Sequence, residues 1–158
     1  MYKKYLALTA MAAVQAAASD HWAVIVAGSN TYSNYRHQAD TCHAYQIMKA
    51  NGIPESQIIH MAYDDIAHNP SNPFPGQIFN KPTAAGVAGN DVYAGCNIDY
   101  KGNNVTAAKL LAVLTGDAAT AGGKVLKSGP NSRVFFYFAD HGAPGLIAMP
   151  VGKYLYAD

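Results

Sequence analysis

Three short apolar runs limit what this chain can become. They are Trp22-Ala23-Val24-Ile25-Val26-Ala27, Gln57-Ile58-Ile59-His60-Met61-Ala62 and Val134-Phe135-Phe136-Tyr137-Phe138-Ala139. None alternates apolar with polar residues, so each reads as a strand of a parallel sheet covered by helices, the first buried on both faces and the third left with an exposed apolar edge where a further strand would pair. Between the first two, Tyr35 to Ala50 reads as a helix. Thr41, Ala44, Tyr45 and Met48 fall at i, i+3, i+4 and i+7 and share one face. Asn51-Gly52 and Pro54 supply the stop. Strand, helix, strand is a βαβ unit, whose crossover is right-handed. A second stripe, Ala107, Leu110, Leu111 and Leu114, predicts a helix that ends at Gly116. The expected class is α/β, a mainly parallel sheet flanked by helices.

Residues 66–103 interrupt that rhythm with Pro70, Pro73, Pro75 and Pro82 among Gly and Asn, and read as one long surface insertion. Residues 122–131 read as a loop, and Leu146 to Met149 as a short extra strand. A length of 158 residues suits one domain. Half the residues are hydrophobic and 13% are charged, which excludes a disordered chain. A net charge of +1 without a long basic run leaves no footprint for nucleic acid or an anionic membrane.

Residues 1–18 differ from the rest. Lys3-Lys4, the apolar stretch Tyr5 to Val14 and Ala16-Ala17-Ala18 form a charged region, a short apolar core and a small-residue cleavage site. The expected division is a signal peptide over 1–18 and a folded unit over 19–158. Asn104-Val105-Thr106 is a glycosylation sequon, usable in the secretory pathway; Asn104 can equally begin the helix that follows. Cys42 and Cys96 can pair in such a compartment or stay buried as thiols, and their spacing does not decide between the two.

Chemistry gathers at the ends of strands in open α/β sheets. Here those ends carry Ser29-Asn30 with Asn34-Tyr35-Arg36-His37, then Asp64-Asp65, then Asp140-His141-Gly142. In a parallel sheet the three loops open on one edge. His141, followed by small residues that let a substrate backbone come close, suits a general base; the alternative is a histidine closing its own turn. Asp64-Asp65 reads first as a turn or cap.

The motifs add a resemblance. Ala27-Gly28-Ser29-Asn30, Asn34-Tyr35-Arg36-His37-Gln38-Ala39-Asp40, Asn51-Gly52-Ile53-Pro54 and Tyr63-Asp64-Asp65-Ile66-Ala67 resemble the legumain family of asparaginyl endopeptidases. So do Asp91-Val92-Tyr93, the run Gly123 to Pro130 and Asp140-His141-Gly142-Ala143-Pro144-Gly145, in the same order. The GPI transamidase branch shares Asn-Tyr-Arg-His; the continuation Gln38-Ala39-Asp40 points to the endopeptidases. The resemblance implies a caspase-like fold and a cysteine–histidine mechanism without a cofactor or metal. His141 would be the base, Asn34 its orienting partner and the Gly142 N–H an oxyanion donor. Arg36 and His37 would line the pocket for a substrate asparagine. Asp140 would be an aspartate prone to succinimide formation.

One departure matters. The family nucleophile is a cysteine in a Glu-Ala-Cys setting after the next strand, where this sequence has stopped, and neither Cys42 nor Cys96 has that setting. The expectation is thus the N-terminal part of a peptidase domain that acts on peptides with asparagine at P1, in the secretory pathway, a lysosome or vacuole, or outside the cell. No membrane association is expected after signal cleavage. The alternative is a non-catalytic remnant that binds peptide or a partner protein. A metal hydrolase built on His141, Asp140, Asp64 and His37 lacks tight ligand spacing.

Overall fold

The computed structural model describes residues 20–87 and 89–157; the expected signal segment lies outside them. Strand β1, His21–Ala27, is the centre of a parallel sheet. Strand β2, Ile58–Met61, lies on one side of it and β3, Arg133–Ala139, on the other. Helix α1 spans Tyr35–Ala50, and α2 and α3 span Ala107–Thr115 and Ala118–Ala121.

Alternate β1 side chains serve opposite layers, as the period of two requires. Ala23 and Ile25 pack with Tyr45 of α1 and Ile58. Trp22, Val24 and Val26 pack with Leu110 and Val113 of α2, Ala121 of α3, and Ile59 and Met61. The result is a helix–sheet–helix sandwich. α2 begins at Thr106, whose side chain accepts from the Lys109 N–H, and ends at Gly116 with φ 76°. Asn104 of the sequon is exposed in the turn before it, its Oδ1 accepting from Lys109 Nζ.

The insertion closes the β2 side. Asp99 and Tyr100 both donate their N–H to His60 O, and Ala62 N–H donates to Tyr100 O. Cys96 is bonded to Cys42 of α1, a closure the spacing left open. Gln46 Nε2 donates to Val92 O and Ala94 O beside it.

β3 is an exposed apolar edge: Val134, Phe135 and Phe136 are 43%, 42% and 44% exposed, and among the described residues β3 pairs with β1 alone. Two expectations need correction. Leu111 is exposed, because the buried side of α2 runs through Leu110, Ala112 and Val113. α3 lies where no helix was expected; it is four residues long, too short for a periodic signal, and is started by Asp117, which caps Ala119 and Thr120 N–H. Beyond β3, a small antiparallel sheet joins β4 (Gly142–Ala143), β5 (Leu146–Ile147) and β6 (Leu155–Tyr156).

His60 on β2 is fully buried. Its Nδ1–H donates to Asn97 O at 3.1 Å, while Nε2 has no partner among the described residues. Burial lowers its pKa from 6.5 to about 4, the Asn97 carbonyl and the Asp64 charge opposing the shift. The unfolded chain binds this proton near pH 6.5 and the folded one only near pH 4. Folding stability from this group is therefore intact above pH 6.5 and falls by about 3 kcal/mol as pH drops to 4. Urea unfolding at pH 7 and pH 4.5 should show this slope, and His60→Gln should flatten it. An equally steep slope in the variant would remove His60 from the account.

Candidate active site

The three strand-end loops meet on one edge of the sheet, as parallel topology demands. His141, directly after the Ala139 end of β3 and Asp140, is exposed. Its Nε2 lies 2.8 Å from Asn34 Oδ1. The Asn34 amide orientation is set by its Nδ2, which donates to Asn30 O at 2.9 Å. Oδ1 is therefore the acceptor, so Nε2 of His141 carries the proton and Nδ1 the lone pair. Asn34 stands at the N-cap position of α1 yet makes no side-chain cap bond. Its side chain is committed to the histidine instead.

The free face of His141 looks toward α1. Arg36 Nη2 stands 3.5 Å from His141 Nδ1, at the edge of hydrogen-bonding reach, and is exposed. His37 is buried, and its ring meets that of His141 edge to face with centroids 5.0 Å apart. His37 Nδ1 lies 2.6 Å from Ser29 Oγ and 3.6 Å from Asp140 Oδ1. Burial lowers the His37 pKa, helped by the Arg36 charge and opposed by Asp140. A His37 whose charged form is disfavoured thus lies under a site rich in donors.

Asp140 is the least settled group. Its side chain is 1% exposed, and Oδ2 has no hydrogen-bond partner among the described residues. It fits because residue 28 is glycine. A Cβ on Gly28 would come 2.7 Å from Asp140 Oδ2 and 2.5 Å from Phe138 Cζ. Gly28 N–H also donates to Ala139 O, stitching the ends of β1 and β3 together. Gly28→Ala must push one of these apart, at a cost of about 1–3 kcal/mol. Thermal unfolding together with the His141 NMR signals should register both a lower Tm and a moved imidazole; an unchanged Tm would show the strand ends to be more yielding than the geometry suggests.

The remaining expected groups separate by role. Gly142 is exposed, and nothing lies within 4 Å of where its Cβ would be, so a substrate backbone has room there. Asp64 takes a turn conformation with φ 65°; it pairs with Lys101 at 2.6 Å and accepts from Tyr93 OH, pushing that phenol up to about 12 behind the larger effect of burial. It stands apart from His141 in this network, as a turn reading of Asp64-Asp65 anticipates. Thr31, with φ 70°, escaped the sequence reading, and Gly28 entered it only as part of a motif. A glycine directly after an apolar strand was a visible signal for the second; nothing marked the first.

Two clusters gather metal-ligand side chains among the described residues: Cys42, His60 and Cys96, and His37, Asp140 and His141. In the first, both sulfurs are spent on each other. In the second, the Arg36 guanidinium beside His141 Nδ1 repels a cation. What the second cluster suits is proton transfer: a histidine of fixed tautomer at an open edge, a cation beside it, and space for a chain to approach.

Comparison with known proteins carries the same motifs further. Hemoglobinase of Schistosoma mansoni is 58% identical over 132 residues, which cover 84% of this chain and 29% of that protein. Legumain of Bos taurus is 57% identical over 134 residues, covering 82% and 30%. The vacuolar-processing enzyme beta-isozyme of Arabidopsis thaliana is 53% identical over 139 residues, covering 86% and 28%. The chain thus spans less than a third of the length of these relatives. The Peptidase C13 family profile matches residues 21–158, which takes in all three strand ends and the histidine site. On that match and those identities, the chain belongs to the Peptidase C13 family.

Proposed function

We propose that this chain supplies the histidine half of a cysteine endopeptidase that cuts on the C-terminal side of asparagine. The observation that carries the reading is the Asn34–His141 pair, which fixes the imidazole with Nε2 on Asn34 and leaves Nδ1, on the Arg36 side, as the basic nitrogen. In the mechanism, Nδ1 takes the proton of a cysteine thiol; the thiolate attacks the scissile carbonyl, and the imidazolium then protonates the leaving amine. The Gly142 N–H stabilises the tetrahedral oxyanion. Arg36 donates to the side-chain carbonyl of the P1 asparagine, with His37 forming the wall beneath it. Asp140, held without a partner on Oδ2 among the described residues, is the residue set for succinimide formation.

Neither cysteine of residues 1–158 fits the nucleophile of this reading. Cys42 is 1% exposed, and both cysteines are in a disulfide, so neither offers a thiolate. That bond and the sequon at exposed Asn104 support a route through the secretory pathway to a vacuole- or lysosome-like compartment or the exterior. No helix among the described residues is long and apolar enough to cross a membrane. The disulfide also favours a second reading for residues 1–158 by themselves: a peptide-binding unit without turnover.

The test uses the longest product of the gene and a peptide series that differs only at P1. Cleavage after asparagine, weak after glutamine, and blocked by a thiol alkylator, supports the proposal. Cleavage that resists alkylation, or ignores the P1 side chain, would sink it. The chain of residues 19–158 assayed alongside should bind the asparagine peptide without cutting it.

A further inference from the structure

We propose that Asp65 is a positioning residue that acts through Thr31 on the Asn34–His141 pair; the proposal deepens the protease reading and rests on His141 as its base. Asp65 follows β2, on the far side of β1 from His141. Its Oδ2 accepts the Thr31 N–H at 2.7 Å, and its Oδ1 accepts from Gln38 Nε2 of α1 at 2.6 Å. Asn69 Nδ2 donates to Asp65 O at 3.2 Å and fixes the backbone of the aspartate.

Thr31 explains why such an anchor is present. Its φ of 70° and ψ of 152° fall in a region that is nearly reserved for glycine. A β-branched side chain makes the conformation worse. Strain of this kind persists only where the surroundings over-determine it. Here the Asp65 carboxylate grips the Thr31 N–H, the Asn34 N–H donates to Thr31 O at 3.0 Å, and the Thr31 and Ser33 hydroxyls lie 3.0 Å apart. The turn Tyr32–Asn34 starts from this residue, and Asn34 is the one that meets His141. Releasing Thr31 lets it turn to a negative φ, which re-aims the three residues after it. Asn34 then leaves its place between Asn30 O and His141 Nε2. Asp65 never touches a reacting atom; it acts by holding a strained joint.

The prediction is a coupling with a defined sign. Glycine adopts the Thr31 conformation without strain, so Thr31→Gly should make Asp65 less necessary. The first readout is the imidazole NMR of the 158-residue chain. In the wild type, the His141 ring 15N shifts should report the proton on Nε2, facing Asn34. In Asp65→Ala the share of the Nδ1–H tautomer should rise by about tenfold, with the His60 shifts unchanged as a control for global damage. Adding Thr31→Gly should restore most of the Nε2–H tautomer. If Asp65→Ala does not fold, Asp65→Asn, which keeps one acceptor, answers with the same signal. The second readout is peptide cleavage by the longest gene product: kcat should fall about tenfold in Asp65→Ala with KM unchanged, and recover in the double variant. An unmoved His141 signal, or no rescue by glycine, overturns the positioning role and leaves the protease reading standing. A wild-type product that does not cut after asparagine overturns the protease reading, while the NMR result still decides the coupling.

Discussion

His141→Ala is expected to lower kcat for an asparagine peptide by about 10³- to 10⁴-fold in the longest gene product, with KM little changed. That corresponds to about 4–5 kcal/mol of lost transition-state stabilisation. The size follows from the double duty of the imidazole, which must accept the thiol proton and later deliver it to the leaving amine. Removing it disables both steps at once. Asn34→Ala should cost less, because the imidazole remains but is free to change tautomer and to turn. Nδ1 keeps its lone pair for the thiol proton because Asn34 Oδ1 claims the proton on Nε2. Asn34→Asp should keep the orientation and change the pH profile, since a carboxylate at 2.8 Å favours the charged imidazole. A His141→Ala variant within tenfold of wild type would move the base elsewhere. His37 would not replace it: it is 4% exposed and already engaged by Ser29.

The sequence revealed most where the signal is local. The α1 boundaries, Tyr35–Ala50, follow from a periodic stripe and an Asn-Gly stop within one continuous segment. The parallel order of β1, β2 and β3 follows from apolar runs and a helical crossover, and it placed His141, Asn34, Arg36 and His37 on one edge. The resemblance then supplied roles for these residues. What stayed hidden depends on distant parts of the chain. An apolar run says that Val134–Phe136 favour burial but not which segment covers them. Cys42 and Cys96 meet across 54 positions, which no spacing rule decides. The positive φ at Thr31 sits on a residue that normally avoids it, so composition argued against the conformation the loop adopts. The buried carboxylate of Asp140 depends on the absence of one Cβ at position 28, across the sheet.

Breaking the Cys42–Cys96 bond should destabilise the chain by about 4 kcal/mol, from the loop-closure entropy of a 54-residue ring. That is a factor of about 10³ in the folding equilibrium constant. The bond ties the insertion to α1. Side-chain ties beside it include Gln46 Nε2 to Val92 O at 3.3 Å and to Ala94 O at 2.8 Å. Urea unfolding of the chain with and without a phosphine reductant, and of Cys96→Ala, measures the effect. The midpoint should fall and the urea m-value should rise, because the unlinked chain exposes more surface when unfolded. Cys96 is the better site to change than Cys42, which is 1% exposed and packs with Ala39, Ile66 and Ile78. A second consequence separates this bond from an idle cross-link. Cys96 Sγ lies 3.5 Å from His60 Nδ1, so the disulfide helps to keep water from that ring. Once it is broken, water reaches His60, its pKa climbs back from about 4 toward 6.5, and part of the acid-induced loss of stability disappears. The reduced chain should thus be weaker at pH 7 yet less sensitive to acid than the oxidised one. Equal midpoints in the two redox states would show that the loop is held by its packing alone; a midpoint that falls with the acid slope unchanged would mean that His60 stays dry without the bond.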